Sequence, residues 1–175
     1  MTSTSWTLLL VGVALVLLLA WVGFTLTRLR RLDRRVGRAW DVLDAALARR
    51  CELVAGIARD RAQELGADPT AALAAAVAAC RRPAGGDREV AENRLGRVLR
   101  ELPGAVRAPE LDDAGWRVGL ARRFYNDAVR DTRALRRRPG VRVLRLHAAR
   151  PLPRFFDIDD GLDAVVGTAG PADRH

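Results

Sequence analysis

From Trp6 to Thr27 the chain runs about 22 residues without one charged side chain. As a helix that stretch measures roughly 33 Å, enough to cross a hydrocarbon core of about 30 Å. Trp6 and Trp21 lie toward its two ends, where indoles favour the lipid–water boundary. A cleaved signal peptide would need a basic start, a shorter apolar core and a small-residue cleavage site. Nothing before Trp6 is basic, and Ala20-Trp21-Val22 is a poor site. The segment is therefore expected to remain as one membrane-spanning helix over residues 6–27, with residues 1–5 as a short extracytoplasmic N-terminus.

The flanks give the orientation. Arg28, Arg30, Arg31, Arg34, Arg35 and Arg38 come directly after the apolar run, and no basic residue precedes it. Positive side chains stay on the cytoplasmic side. The N-terminus is thus expected outside the cell membrane and the remainder in the cytoplasm, a single-pass arrangement. The span lacks a GxxxG spacing, so no specific intramembrane dimer is indicated.

The rest of the 175-residue chain is long enough for one hydrophobic core. All 30 of its basic residues are Arg, and the net charge is +9. Such a chain is attracted to polyanions, and for a tethered protein anionic lipid headgroups are nearest. Nucleic acid is disfavoured, because no reading module or stacking aromatics accompany the basic residues. Cys51 and Cys80 lack metal-type spacing and read as reduced thiols.

Apolar residues after the span recur at intervals of three and four. Leu29, Leu32, Val36, Trp40, Leu43, Leu47, Val54 and Ile57 share one stripe, which predicts a long amphipathic helix to about Leu65, stopped by Gly66. Asp68-Pro69 predicts a capped start for an Ala-rich helix to about Arg82. Pro83–Gly86 reads as a loop, and Asp87 as the cap of a helix to Leu102 that turns Val90, Leu95, Val98 and Leu99 inward. Asp112 or Asp113 is expected to cap a last long helix to about Arg138, with Val118, Ala121, Tyr125, Val129, Thr132 and Leu135 inside. Pro139-Gly140 should end it, leaving Val141–Leu146 as a helical turn or extended arm. Trp40 and Trp116 are both expected to be buried. No alternating strand pattern and no repeat is visible. The expected fold is all-α: a transmembrane helix followed by an antiparallel three- to four-helix bundle over residues 28–146. An Arg/Pro/Phe-containing element covers 147–160, and 161–175 is expected to be a disordered tail.

Two blocks in this pattern resemble the LemA family. The first is Leu-Asp-Arg-Arg-Val-Gly-Arg-Ala-Trp-Asp over 32–41, followed by Leu-Ala-Arg-Arg-Cys-Glu-Leu-Val over 47–54. The second is Ala-Arg-Arg-Phe-Tyr-Asn-Asp-Ala-Val-Arg-Asp over 121–131, and Pro139-Gly140 and Pro153 with Phe155-Phe156-Asp157 resemble that family's closing elements. The likeness spans roughly residues 5 to 157. It implies a bacterial membrane protein with one N-terminal span and a cytoplasmic helical bundle, in a family without an agreed biochemical activity. The chain departs from the pattern at Ala55, where the family has Pro, at Asp131-Thr132, at Arg138, and through much of 66–111.

Candidates for catalysis are few. His147 and His175 are the two histidines, and neither belongs to a catalytic spacing. Gly85-Gly86 lacks the strand and Lys of a phosphate loop. Asp157, Asp159, Asp160 and Asp163 crowd together but lack the later Glu of a calcium loop, and read as a solvated acidic stretch. No catalytic, cofactor or metal residue is assigned. Tyr125 and Asn126 are a candidate groove or partner contact, against the plainer reading that the ring fills the core. Arg123, Asp127 and Asp131 form a surface ladder, worth about 0.2–0.5 kcal/mol per pair. A second basic group, Arg133, Arg136, Arg137, Arg138, Arg142, Arg145, Arg150 and Arg154, is a candidate lipid clamp. The function indicated is a non-enzymatic scaffold or adaptor, with the bilayer and an unidentified membrane or cytoplasmic protein as partners. An accessory subunit of a membrane enzyme such as a protease is the alternative, and a homo-oligomer stays open.

Overall fold

The computed structural model describes residues 3–82, 88–104, 108–143 and 151–159. Within them the protein is all-α, with six helices and no strand: α1 (Ser3–Asp60), α2 (Ala62–Leu65), α3 (Ala67–Arg81), α4 (Arg88–Glu101), α5 (Pro109–Arg136) and α6 (Pro139–Val143). The loop expected at Pro83–Gly86, the cap at Asp87, His147, Asp160, Asp163, Arg145, Arg150 and the tail from 161 lie outside the described residues.

The chain divides into two compact units. Unit 1 holds residues 1–38 and 127–154, and unit 2 holds 39–126 and 155–175. α1 and α5 each contribute to both. α1 is long and apolar enough to cross a membrane near its start. Leu8, Leu10, Val16, Leu19 and Phe24 stand exposed around its circumference. In unit 1 the first packed layer forms where this helix meets the end of α5: Leu29, Leu135 and Val141 are buried together, with Leu32 alongside. Gly140, the second residue of α6, lies against the Trp21 indole, where a Cβ would stand 2.6 Å from the ring. A side chain there would have to displace the indole.

In unit 2, the α1 stripe continues through Leu43, Leu47 and Val54, all fully buried. Cys51, Val54 and Ala58 join Leu73, Ala76, Val77 and Cys80 of α3, Ala91 and Leu95 of α4, and Leu111 of α5 in one core. Val118 and Ala121 of α5 are buried as their period predicts, and so are Val129, Thr132 and Leu135 on the unit 1 part of the same helix.

Several boundaries differ from the sequence expectation. α1 stops at Asp60, and Arg61 breaks the helix before the single turn α2. Gly66 takes φ +83°, a backbone region natural to glycine, and it separates α2 from α3. The Asp68 cap is not formed. α3 begins at Ala67, with Asp68 in its first turn and no side-chain cap bond, where the carboxylate still meets the favourable end of the helix dipole. α5 starts at Pro109, ahead of Asp112 and Asp113, because a proline at the first position forfeits no helical N–H bond. α5 ends at Arg136, before Pro139-Gly140 as expected, and by the same rule Pro139 opens the short helix α6.

Two inward assignments are corrected. Val90 is 62% exposed and Trp116 is 54% exposed. Val90 is five residues from buried Leu95 and Trp116 two from buried Val118, about 140° and 160° off those stripes at 100° per residue. Trp40, also expected inside, is half-buried.

Candidate functional site

The basic residues after the apolar run sit on successive faces of α1. Arg30, Arg31 and Arg34 are exposed, and Arg34 Nε donates to the Arg30 carbonyl at 3.3 Å. Arg28 and Arg35 are seven apart and share one face, with Leu32 between them. They line a cleft of about 350 Å3, whose other wall is Asp131, Ala134 and Leu135 of α5 and Arg138 just beyond its end. Arg35 Nη1 reaches Asp131 Oδ2 at 2.8 Å. Both side chains are half exposed, so this pair contributes under about 1 kcal/mol. Arg28 and Arg138 have no ion-pair partner among the described residues.

The second basic group divides. Arg136 is buried, with Nη2 3.1 Å from Asp33 Oδ1 and Nη1 donating to the Pro151 carbonyl at 2.8 Å. Arg133 Nε donates to the Pro153 carbonyl at 2.9 Å. These two guanidiniums hold unit 1 together, while Arg137, Arg138 and Arg142 remain exposed. Asp131 pairs with Arg35, and Asp127 with Arg130 at 2.6 Å.

In unit 2, Tyr125 is buried and its ring meets Trp40 edge-on at 5.3 Å, while Phe156 meets the same indole at 5.7 Å. Asn126 makes a two-way clasp: Nδ2 donates to the Phe156 carbonyl and Oδ1 accepts from the Phe156 N–H, both at 2.9 Å. The same extended segment is held twice more, as the Asp157 N–H donates to Glu89 Oε1 at 2.9 Å and the Asp159 N–H to Asn93 Oδ1 at 2.8 Å. Tyr125 and Asn126 are thus both engaged inside the protein. Asp159 also pairs with Arg100 at 3.2 Å. Among the described residues no three His, Cys, Asp or Glu side chains gather as metal ligands.

Comparison of the chain with protein-family profiles, curated proteins and solved structures finds no match.

One buried charge group had no place in the sequence reading. Arg50 Nη2 meets Glu92 Oε2 at 2.7 Å with both side chains almost wholly enclosed, and Arg88 joins from 3.7 Å while pairing with Asp44 at 2.5 Å. Arg50 Nε, Arg88 Nε and Glu92 Oε1 remain without hydrogen-bond partners. The signal was available: Arg50 lies three after Leu47 and four before Val54, on the apolar stripe. Around this group the thiols are poor nucleophiles. Burial and the Glu92 carboxylate push Cys80 up to about 12. Burial also raises Cys51, partly offset by the Arg81 guanidinium. Cys51 Sγ contacts the Val77 carbonyl at 3.8 Å and Cys80 Sγ the Ala91 carbonyl at 3.4 Å, and neither is in a disulfide.

Proposed function

We propose that the protein is a membrane-anchored, non-enzymatic helical scaffold of the LemA type. Its N-terminus lies outside, and its helices form a bundle at the cytoplasmic face that organises partner proteins or the membrane. The observation that carries this reading is the continuity of α1. One unbroken helix passes from an uncharged segment exposed on all sides up to Ala20, through a basic flank, into the buried stripe of a core. Exposure all round suits a lipid solvent and no aqueous one, and the one-sided arginine flank favours the cytoplasm for the helices beyond it. The engagement of Tyr125 and Asn126 within the core, and the raised thiols, support a structural rather than a catalytic bundle.

Topology is tested by protease treatment of intact and permeabilised cells. Digestion of the helical part only after permeabilisation is expected, and digestion from outside reverses the orientation. Leu15→Arg, in the middle of the span, should lower insertion by about 2.5–3.5 kcal/mol and move the chain from the membrane to the soluble fraction. In-cell crosslinking then identifies the neighbours of the bundle. A pattern containing lipid alone would reject the adaptor role.

A further inference from the structure

We propose that the cleft between Arg28, Arg35 and Arg138 holds the phosphate of one anionic phospholipid headgroup. This rests on the membrane-anchored reading above and gives it a specific ligand. Three guanidiniums and one carboxylate line the cleft, an excess of two positive charges. Asp131 is taken up by Arg35. That leaves Arg28 and Arg138, the two lining arginines without ion-pair partners among the described residues, for a ligand. Guanidinium forks match phosphate oxygens two at a time.

Placement favours a lipid over a soluble anion. Arg28 is the first residue after the uncharged run, where headgroups begin. The contact of Gly140 with Trp21 holds α6 beside the last turns of that run, and Arg138 immediately precedes α6. Leu32, Ala134 and Leu135 are the apolar residues that line the cleft. A volume of about 350 Å3 lies near the low end of the roughly 300–1,000 Å3 typical of small-molecule sites, which suits one headgroup. A choline headgroup would bring its own positive charge against the arginine excess, so phosphatidylglycerol is preferred over phosphatidylcholine.

The test uses the full chain in phosphatidylcholine discs doped with phosphatidylglycerol, with retained lipid counted by native mass spectrometry. One phosphatidylglycerol should be retained preferentially. R28Q/R138Q should lower that retention about thirtyfold, on the scale of two arginines acting near an anionic surface. Ala134→Trp, which fills the cleft without changing its charge, should lower it similarly. R30Q/R31Q removes the same charge from the same flank outside the cleft and should lower retention much less, through diffuse attraction alone. Equal loss in R28Q/R138Q and R30Q/R31Q, or full retention in Ala134→Trp, overturns the site in favour of diffuse attraction. Displacement of the lipid by excess inorganic phosphate overturns the lipid assignment. Flotation with plain phosphatidylcholine vesicles separates the two readings: a chain that floats but retains no phosphatidylglycerol loses only the cleft, and a chain that does not float loses the anchor and the cleft together.

Discussion

The two halves of α1 obey opposite rules. Between Trp6 and Phe24 the large side chains Leu8, Leu9, Leu10, Val11 and Val16 are exposed on every face, whereas Leu43, Leu47 and Val54 in the second half are wholly buried. The stretch up to Thr27 holds no charge. The second half encloses Arg50 against Glu92. Their apolar residues do not separate them, since Leu, Val and Ala supply most of those in both. Arrangement does: apolar residues on all sides ask for a surrounding solvent that is itself apolar, while apolar residues on one stripe ask for another helix.

That contrast can be broken from its buried side first. Glu92→Ala leaves the Arg50 guanidinium enclosed without its counter-charge, and should cost about 3–5 kcal/mol in denaturant unfolding of the full chain in detergent. Replacing both partners, as Arg50→Met with Glu92→Leu, should recover most of that loss. A double variant as unstable as the single would place the cost in packing instead. Next, Leu47→Ala should destabilise the helical core by about 2–5 kcal/mol through lost burial and the cavity left behind. Leu15→Ala, the same chemical change in the first half, should stay within about 0.5 kcal/mol in the same assay. Equal effects would erase the distinction between the halves.

Smaller effects sharpen it. Asn126→Ala removes both bonds to the Phe156 backbone and should cost about 1–3 kcal/mol, read as faster amide exchange at Phe156. The thiols give a pH signature. Cys80 titrates near 12 in the folded chain against an ordinary value of 9.0, so the unfolded chain releases its proton first. The protonated thiol's contribution is complete below pH 9, declines as pH rises from there, and levels off above about 12. Thiol-specific reagents at neutral pH should label Cys51 and Cys80 only after unfolding, and rapid labelling of the folded chain would contradict their burial.

Much of the helical order is legible in the sequence because it is local. The period of three and four that joins Leu43, Leu47 and Val54, and the one that joins Val118, Ala121, Tyr125 and Val129, needs no knowledge of any partner. The all-α fold is a consequence of that period, and the apolar run announces itself by length. What stays illegible is pairing across distance. Arg136 reads as one more surface arginine until Asp33, 103 residues away, is seen beside it. Asn126 reads as half of a Tyr-Asn pair until Phe156 occupies both ends of its amide. The cleft at Arg28 draws its walls from two stretches about a hundred residues apart, so no local window contains it. The boundary at Pro109 moved for another reason: one proline can end a helix or begin one, and the neighbouring turns decide.

The segment from 155 to 159 has a consequence for the order in which the chain assembles. Its anchors are side chains that precede it by long intervals, Asp157 from Glu89 by 68 residues and Asp159 from Asn93 by 66. Closing so long a loop adds little entropy beyond a shorter one, because the cost grows only with the logarithm of length. The constraint is temporal. On a growing chain the segment emerges after Glu89, Asn93 and Asn126. The bonds that tie 155–159 to α4 and α5 can therefore close only after both helices have been synthesised.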